Sequence, residues 1–135
     1  MVNAMKRAGL ETRMALSHLI DELKEHASAH HDAIEVRVMP RWISLRSRRG
    51  KRVFAELRPR NRRVEVFVLP PPRELGFSRL VCRAPPSQGW DWFKSKFCFE
   101  GDGDVRSALR LLRISYISSI RTNVSPLRRR RKNSR

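Results

Sequence analysis

Short segments in which apolar and polar residues alternate constrain the fold of this chain more than any other feature. The clearest spans residues 63–69, where three valines point to one side. Similar segments are residues 34–38, 53–57 and 93–100 and one that begins at Trp42. The segment 93–100 places three phenylalanines on one face. Alternation is typical of half-buried strands, and the short turns between the first four predict an antiparallel meander.

Two segments with apolar residues at helical spacing flank the strands, from Glu11 to Ala29 and from Val105 to Ile120. Asp104 is suited to cap the first free amides of the second helix. The order of elements predicts an α+β domain in which an antiparallel sheet of about five strands carries both helices on one face. Residues 73–89 are expected to be irregular or to hold a short helix or an edge strand.

The chain has 135 residues, which suits one domain with short extensions. We expect this domain to span residues 11–124, between a flexible segment 1–10 and a disordered basic tail 125–135. The sequence has no run of 18 apolar residues and no signal-peptide pattern at its start. Its two cysteines, Cys82 and Cys98, are too few for a disulfide scaffold. These features predict a soluble, cytoplasmic protein without membrane contact.

Positive charge dominates the composition, because 30 Lys and Arg against 13 Asp and Glu give a net charge of +17. Residues 36–83 contribute 14 basic side chains, and residues 125–135 contribute another 6. Such an excess opposes compactness unless a polyanion neutralises it, and arginine presents a fork of donors that suits phosphate. A GC-rich genome would also enrich arginine, so both explanations stay open.

We expect a non-enzymatic module that binds nucleic acid or another polyanion through a solvated, basic sheet face and through its tail. Phosphate contacts and release of counterions, with little recognition of bases, would supply the affinity. The expected binding residues are Arg46, Arg48, Arg49, Lys51, Arg52, Arg58, Arg60, Arg62, Arg63, Lys94, Lys96, Arg128, Arg129, Arg130, Arg131 and Lys132. Trp90 and Trp92 are expected either to stack on bases or to cover the core.

Two glutamates raise the alternative of a metal-dependent, nuclease-like enzyme. Glu56 and Glu65 would face each other if Leu57 paired with Val64, and paired carboxylates can bind a metal or transfer protons. The arginines beside them favour charge neutralisation instead. We therefore predict no catalytic residue.

The remaining patterns do not predict a metal or a cofactor. Glu22, His26 and His30 recur every four residues, as zinc ligands on a helix do, but no histidine follows His31. A polar helix end explains them better. The chain lacks a Gly-rich phosphate loop with its lysine. The other alternative is an interaction or regulatory domain whose basic face meets an acidic protein, and the oligomeric state stays open.

Two stretches of the predicted sheet carry a resemblance to a known family. Residues 38–46 read VMPRWISLR, and residues 54–60 read FAELRPR. A valine before an aromatic-Ile-small-Leu strand, followed by a Phe-x-Glu-Leu strand, resembles a small prokaryotic domain family of unknown function. Its members occur alone or at the C-terminus of chains labelled as predicted transport proteins.

Later elements follow in the order of that family, so the resemblance covers roughly residues 14–120. They are the strand at Val64–Val66, the Gly89-Trp90 loop, the strand at Phe97–Phe99 and the final helix. These motifs are core and turn positions, so the resemblance implies a fold more than a function. Some longer members join the domain to a nuclease-like region, which implies a nucleic-acid context. Residues 91–96 lack the Gly- and His-containing tract of the family, so no activity of that histidine is implied.

Overall fold

The computed structural model describes residues 3–76, 81–85, 92–100 and 104–121. Within these residues the chain forms two α-helices, six strands and two short 3-10 helices. In chain order they are a 3-10 helix (Ala4–Arg7), α1 (Leu10–Ala29), β1 (Ile34–Val38), β2 (Ile43–Ser47), β3 (Arg52–Pro59), β4 (Val64–Val68), a 3-10 helix (Pro72–Leu75), β5 (Cys82–Arg83), β6 (Ser95–Phe99) and α2 (Val105–Arg121). The predicted α+β class is confirmed.

All six strands are antiparallel and form one sheet in the order β1-β2-β3-β4-β6-β5. The first four form the predicted meander. The strand beyond the expected five is β5, which has two residues and pairs with β6 at the edge of the sheet. It lies in residues 73–89, where a short helix or an edge strand is expected from the sequence.

One face of the sheet carries the hydrophobic core. Ile43, Leu57, Val66 and Phe97 lie side by side across four strands and are almost completely buried. Apolar side chains of both helices pack over them, among them Leu16, Leu19, Leu23, Leu112 and Tyr116. Full burial of one such leucine stabilises the fold by about 1.5–3 kcal/mol, so the period-two and helical patterns together determine which face is covered.

A bulge in β3 places Phe54 in contact with α2. The register between β2 and β3 shifts after Leu45, which leaves Phe54 as an extra residue. The Phe54 ring packs edge-on against Tyr116, with ring centroids 5.4 Å apart. Its carbonyl oxygen accepts a hydrogen bond of 2.6 Å from Ser115 Oγ. The bulge therefore connects the central strand to the middle of α2.

The segment before α1 also packs against the sheet. The Ala4 amide donates a hydrogen bond of 2.7 Å to the Met39 carbonyl oxygen, and the Ala4 side chain is buried. Flexibility of residues 1–10 stays a prediction, but this contact brings Arg7 to one end of the sheet. The predicted tail, residues 125–135, lies outside the described residues.

The phenylalanines of the last strand divide between the two faces of the sheet. Phe97 and Phe99 lie in the core, as the alternation predicts. Phe93 precedes β6, and its ring centroid lies 6.4 Å from that of Phe67. Phe67 pairs with Lys96, and both lie on the face of the sheet opposite the core. The alternation therefore begins at Ser95, two residues later than the sequence suggests.

Candidate functional site

An ion pair between a buried glutamate and a half-buried arginine occupies the centre of the sheet face away from the helices, here called the outer face. Glu56 Oε2 on β3 lies 2.6 Å from Arg58 Nε. The Arg58 guanidinium in turn lies 4.7 Å from the centre of the Phe67 ring, a cation–π geometry. Glu56 and Phe67 are each only 2% exposed. The prediction of a solvated, basic face is therefore wrong at its centre, because an aromatic ring and a paired charge fill it.

Glu65 on β4 neutralises two of the predicted binding residues. Its carboxylate oxygens lie 3.5 Å from Lys96 Nζ and 3.5 Å from Arg60 Nη2. Burial opposes ionisation, but the charges and hydrogen bonds of Lys96 and Arg60 outweigh it and lower the pKa of Glu65. Glu65 is therefore ionised at neutral pH.

The predicted face-to-face pairing of Glu56 and Glu65 is wrong. In the structure Glu65 pairs with Arg58, two positions further along β3 than the sequence suggests. The reason is that Arg58 and Pro59 continue β3, whereas the predicted register leaves both of them in the turn. Each carboxylate consequently contacts a cation. This removes the geometry on which the enzyme alternative depends.

At one end of the sheet, arginines from three parts of the chain meet around Trp42. A cavity of about 250 Å³ is lined by Arg7, Arg41, Trp42, Arg58, Pro59 and Arg60. No carboxylate is among the described residues that line it. We call this region, together with the β3–β4 turn at residues 60–63, the Trp42 end. Arg7 and Arg41 are exposed, and neither has an ion-pair partner in the described part of the chain.

The N-terminus of α1 holds the turn of the Trp42 end. The Asn61 carbonyl oxygen accepts hydrogen bonds of 2.9 Å from the Gly9 amide and 3.0 Å from Thr12 Oγ1. A Cβ at Gly9 would lie 2.9 Å from Asn61 Oδ1, so glycine permits this close approach. The positive end of the helix dipole therefore lies beside the arginines of the turn and adds to their attraction for anions.

Two further arginines of this turn are exposed, Arg62 and Arg63. Arg62 shares a shallow cavity with Glu11 and Glu100, which offset part of its charge. Arg60 is also partly neutralised, through Glu65. At the Trp42 end, Arg7, Arg41 and Arg63 therefore have no ion-pair partner within the described residues.

At the other end of β3, Asp32 holds the β2–β3 turn, residues 47–52. We call this region the Asp32 end. The Asp32 carboxylate accepts four hydrogen bonds, from the Ala33 amide (2.7 Å), the Arg49 amide (2.8 Å), Ser47 Oγ (2.6 Å) and Tyr116 Oη (2.7 Å). Burial raises its pKa, but these hydrogen bonds together lower it below its ordinary value. This side chain connects α1, the turn and α2.

Cations at the Asp32 end bind acceptors of the protein itself. Arg46 Nη1 lies 2.8 Å from Glu35 Oε1, and Arg48 Nε lies 3.9 Å from the other oxygen of that carboxylate. Arg49 Nη1 donates a hydrogen bond of 2.9 Å to the His30 carbonyl oxygen, where α1 ends. A guanidinium at a helix C-terminus stabilises the helix dipole. Arg46 and Arg49 therefore have a structural use.

The structure thus divides the predicted binding residues between separate regions. Arg58, Arg60, Arg62 and Arg63 belong to the Trp42 end, whereas Arg46, Arg48, Arg49, Lys51 and Arg52 belong to the Asp32 end. Lys94 is exposed before β6, and Lys96 lies on the outer face beside Glu65. Trp92 is 45% exposed, with its ring edge-on to Phe93 at 6.0 Å. Trp90, Arg128, Arg129, Arg130, Arg131 and Lys132 lie outside the described residues.

The binding residues expected from the sequence do not include Arg7 and Arg41, which the structure brings into the cavity of the Trp42 end. For Arg41 a signal exists, because it follows Pro40 and precedes Trp42 in a turn between two strands. For Arg7 no local signal exists, since its position depends on the contact between Ala4 and Met39.

The described residues contain no group of three or more His, Cys, Asp or Glu side chains placed to hold a metal ion. The rings of His26 and His30 lie 5.1 Å apart and pack against Tyr116. In the part of the chain that the structure describes, no helix is both long and apolar enough to cross a membrane.

Comparison of this chain with protein-family models, with curated proteins and with solved structures finds no match. The resemblance of residues 38–60 to a prokaryotic domain family stays an expectation. Function is therefore inferred from the geometry of the two ends of the sheet.

Proposed function

We propose that this protein is a non-enzymatic module that binds nucleic acid through phosphate contacts at the Trp42 end. The single observation that carries the proposal is the cavity shared by Arg7, Arg41, Arg58, Arg60 and Trp42. Guanidinium groups from three separate parts of the chain converge there, and no carboxylate is among the described lining residues. Bringing like charges together is unfavourable, so an anion bound between them would relieve repulsion within the folded chain.

The chemistry of these side chains suits phosphodiesters. Each guanidinium presents a planar fork of N–H groups that matches two phosphate oxygens. Arg58 is held by Glu56 and the Phe67 ring, so it is positioned before a ligand arrives. Trp42 is half-buried in the same cavity and offers an aromatic surface for a base or a sugar. Such contacts would favour phosphate binding with little discrimination between sequences.

The enzyme alternative has no support in this geometry. Glu56 and Glu65 contact different cations and are offset along their strands. We also propose a cytoplasmic location, because both cysteines, Cys82 and Cys98, are free thiols, which suits a reducing compartment.

A salt titration tests the proposal. Fluorescence anisotropy would measure the affinity of the full chain for a labelled DNA duplex, a single-stranded RNA and polyglutamate over a series of NaCl concentrations. For duplex DNA we expect the logarithm of the affinity to fall linearly with the logarithm of salt concentration, by about 0.9 per phosphate neutralised. The double variant R7A/R41A should reduce that slope by up to about two units, because it removes two phosphate contacts.

The matched control is R73A/R106A, which removes the same charge from two exposed positions outside the Trp42 end. We expect this control to retain the parent's slope. Equal losses in both double variants would show that net charge alone binds DNA and would contradict a site at the Trp42 end. Tighter binding of polyglutamate than of either nucleic acid, with the same loss in R7A/R41A, would indicate an acidic protein partner instead.

A further inference from the structure

A second cavity lies on the helical side of the molecule, separate from the Trp42 end. It has a volume of about 710 Å³ and lies between α2, the His26 side of α1 and the segment that follows β4. Sites for small organic ligands usually measure about 300–1,000 Å³. The cavity is therefore large enough for a small molecule.

Three arginines of α2 line this cavity, Arg110, Arg113 and Arg121, against one carboxylate, that of Glu74. Their existing contacts are weak. Arg110 Nη1 lies 3.5 Å from a carbonyl oxygen, and Arg113 Nη2 lies 3.9 Å from Glu22 Oε1. Arg121 has no ion-pair partner within the described residues. The cavity therefore holds an excess of positive charge and unused N–H donors.

Two residues of the lining each have a buried nitrogen without a hydrogen-bond partner, His26 Nε2 and Arg113 Nε. A buried polar atom without a partner costs about 1–3 kcal/mol, and native proteins rarely retain one without a reason. Burial, and then the positive charges of Arg113 and His30, lower the pKa of His26. The His26 ring is consequently mainly neutral at pH 7 and can donate one hydrogen bond to an anion without adding charge.

Apart from Ser118, the remaining lining is apolar. Ile114 and Ile117 lie one turn apart on α2, and Pro70 faces the same cavity. Apolar side chains would not favour a sugar-phosphate chain, which needs polar contacts along its length. Aliphatic carbon atoms fit them well, because burial of each methylene group contributes about 0.8 kcal/mol.

We propose that this cavity binds a small amphipathic carboxylate, an organic acid with an aliphatic or aromatic body. The carboxylate would accept hydrogen bonds from the guanidinium groups of Arg110 and Arg113. The apolar body would lie on Ile114 and Ile117. Residues 122–135 of the chain carry 6 basic and no acidic side chains. The arginines of the cavity would repel this positive charge, so the segment does not suit the cavity as an occupant. The proposal is independent of nucleic-acid binding at the Trp42 end.

Decanoate and decanol are suitable probes, because they share the aliphatic chain and differ in charge. Isothermal titration calorimetry on the full chain should show one decanoate site, with decanol bound at least tenfold more weakly. The variant R113Q should weaken decanoate at least tenfold and leave decanol unchanged. The control R106Q removes an exposed arginine of the same helix that does not line the cavity, and it should bind decanoate like the parent.

Two further variants keep the test decisive. R110Q replaces a more exposed arginine of the cavity and should also weaken decanoate selectively, whether or not R113Q folds. I117S should weaken decanoate and decanol alike, because it removes part of the apolar surface. Equal affinity of the parent for decanoate and decanol would overturn the proposal. Unchanged decanoate binding in R110Q would also overturn it.

Discussion

The Trp42 end and the Asp32 end are both rich in arginine and both fixed by α1, yet they use their cations differently. They lie at opposite ends of β3, about 23 Å apart along an eight-residue strand. At the Asp32 end, Arg46 pairs with the Glu35 carboxylate and Arg49 binds the His30 carbonyl oxygen, while Arg48 makes only a weak contact of 3.9 Å with Glu35. At the Trp42 end, Arg7 and Arg41 have no such partner among the described residues.

The direction of α1 explains part of this difference. Its C-terminal carbonyl groups attract Arg49 at the Asp32 end, whereas its N-terminal amides lie beside Asn61 at the Trp42 end. The helix dipole therefore stabilises bound cations at one turn and favours anions at the other. The comparison shows that a high density of arginine does not by itself mark a binding surface. The number of carboxylate and carbonyl acceptors near these arginines determines how many of them can bind an external anion.

The largest effect is expected from removal of the Asp32 anchor. Asp32→Ala leaves the Tyr116 hydroxyl and two amides without their acceptor, so it should lower the free energy of unfolding by about 3 kcal/mol. Thr12→Val removes one hydrogen bond to Asn61 at the other end and should cost only about 1 kcal/mol. Urea denaturation followed by circular dichroism measures both. Equal losses in the two variants would show that the two turns are anchored equally.

The glycines of the two ends provide the next comparison. A Cβ at Gly50 would lie 2.7 Å from the Ser119 carbonyl oxygen, which belongs to the backbone of α2 and cannot move easily. Gly50→Ala should therefore cost about 2 kcal/mol. A Cβ at Gly9 would lie 2.9 Å from the side-chain oxygen of Asn61, which can rotate, and 3.0 Å from its carbonyl oxygen. The backbone contact is longer than the one at Gly50, so Gly9→Ala should cost less, about 1 kcal/mol. Thermal unfolding compares the two, and a larger loss in Gly9→Ala would contradict this ranking.

A third prediction separates binding from stability. R7A/R41A should weaken duplex DNA binding about tenfold while the free energy of unfolding changes by less than about 0.5 kcal/mol, since both positions are exposed. R48A/R49A should do the opposite, with a loss of about 1 kcal/mol in stability and less than about threefold in affinity. Anisotropy titration and urea denaturation of the same preparations test this. If R48A/R49A loses more affinity than R7A/R41A, the assignment of the two ends is reversed.

The smallest effect concerns acid. The pKa of Asp32 is lowered in the folded state, so its stabilisation is complete above the ordinary value of 3.8 and is lost as the pH falls through the folded pKa. Stability should therefore decrease with acidification from about pH 5 to about pH 2. Asp32→Asn should show a shallower decrease, measured by urea denaturation across that range. Glu65→Gln should also flatten it, because the pKa of Glu65 is lowered at the Trp42 end.

Local patterns were sufficient to predict the elements of this fold. Alternating residues marked five of the six strands, and helical spacing placed α1 and α2 close to their observed limits. The register between β3 and β4 was not predictable, because Pro59 can end a strand or begin a turn, and only the position of Val64 opposite Pro59 distinguishes the two. The two-residue strand β5 is too short for its sequence to show a period.

The candidate site was less predictable than the fold. Arginine density gave the same weight to Arg58 and Arg60, which line the Trp42 cavity, as to Arg48 and Arg49 at the Asp32 end. Their partners come from elsewhere in the chain, and pairing over such separations leaves no local pattern. The position of Arg7 at the Trp42 end likewise depends on a contact between distant residues, that of Ala4 with Met39.

The bulge at Phe54 has a consequence for misfolding. In a regular hairpin, β2 and β3 could slip past each other by one residue, which would exchange the two faces of β3. Glu56 and Arg58 would then enter the core, and Leu57 would become exposed. The extra residue makes the two strands unequal, and the contact of Phe54 with Tyr116 is available only in the native alignment. We therefore expect the bulge to disfavour slipped hairpins during folding, because a slipped register would lose this contact.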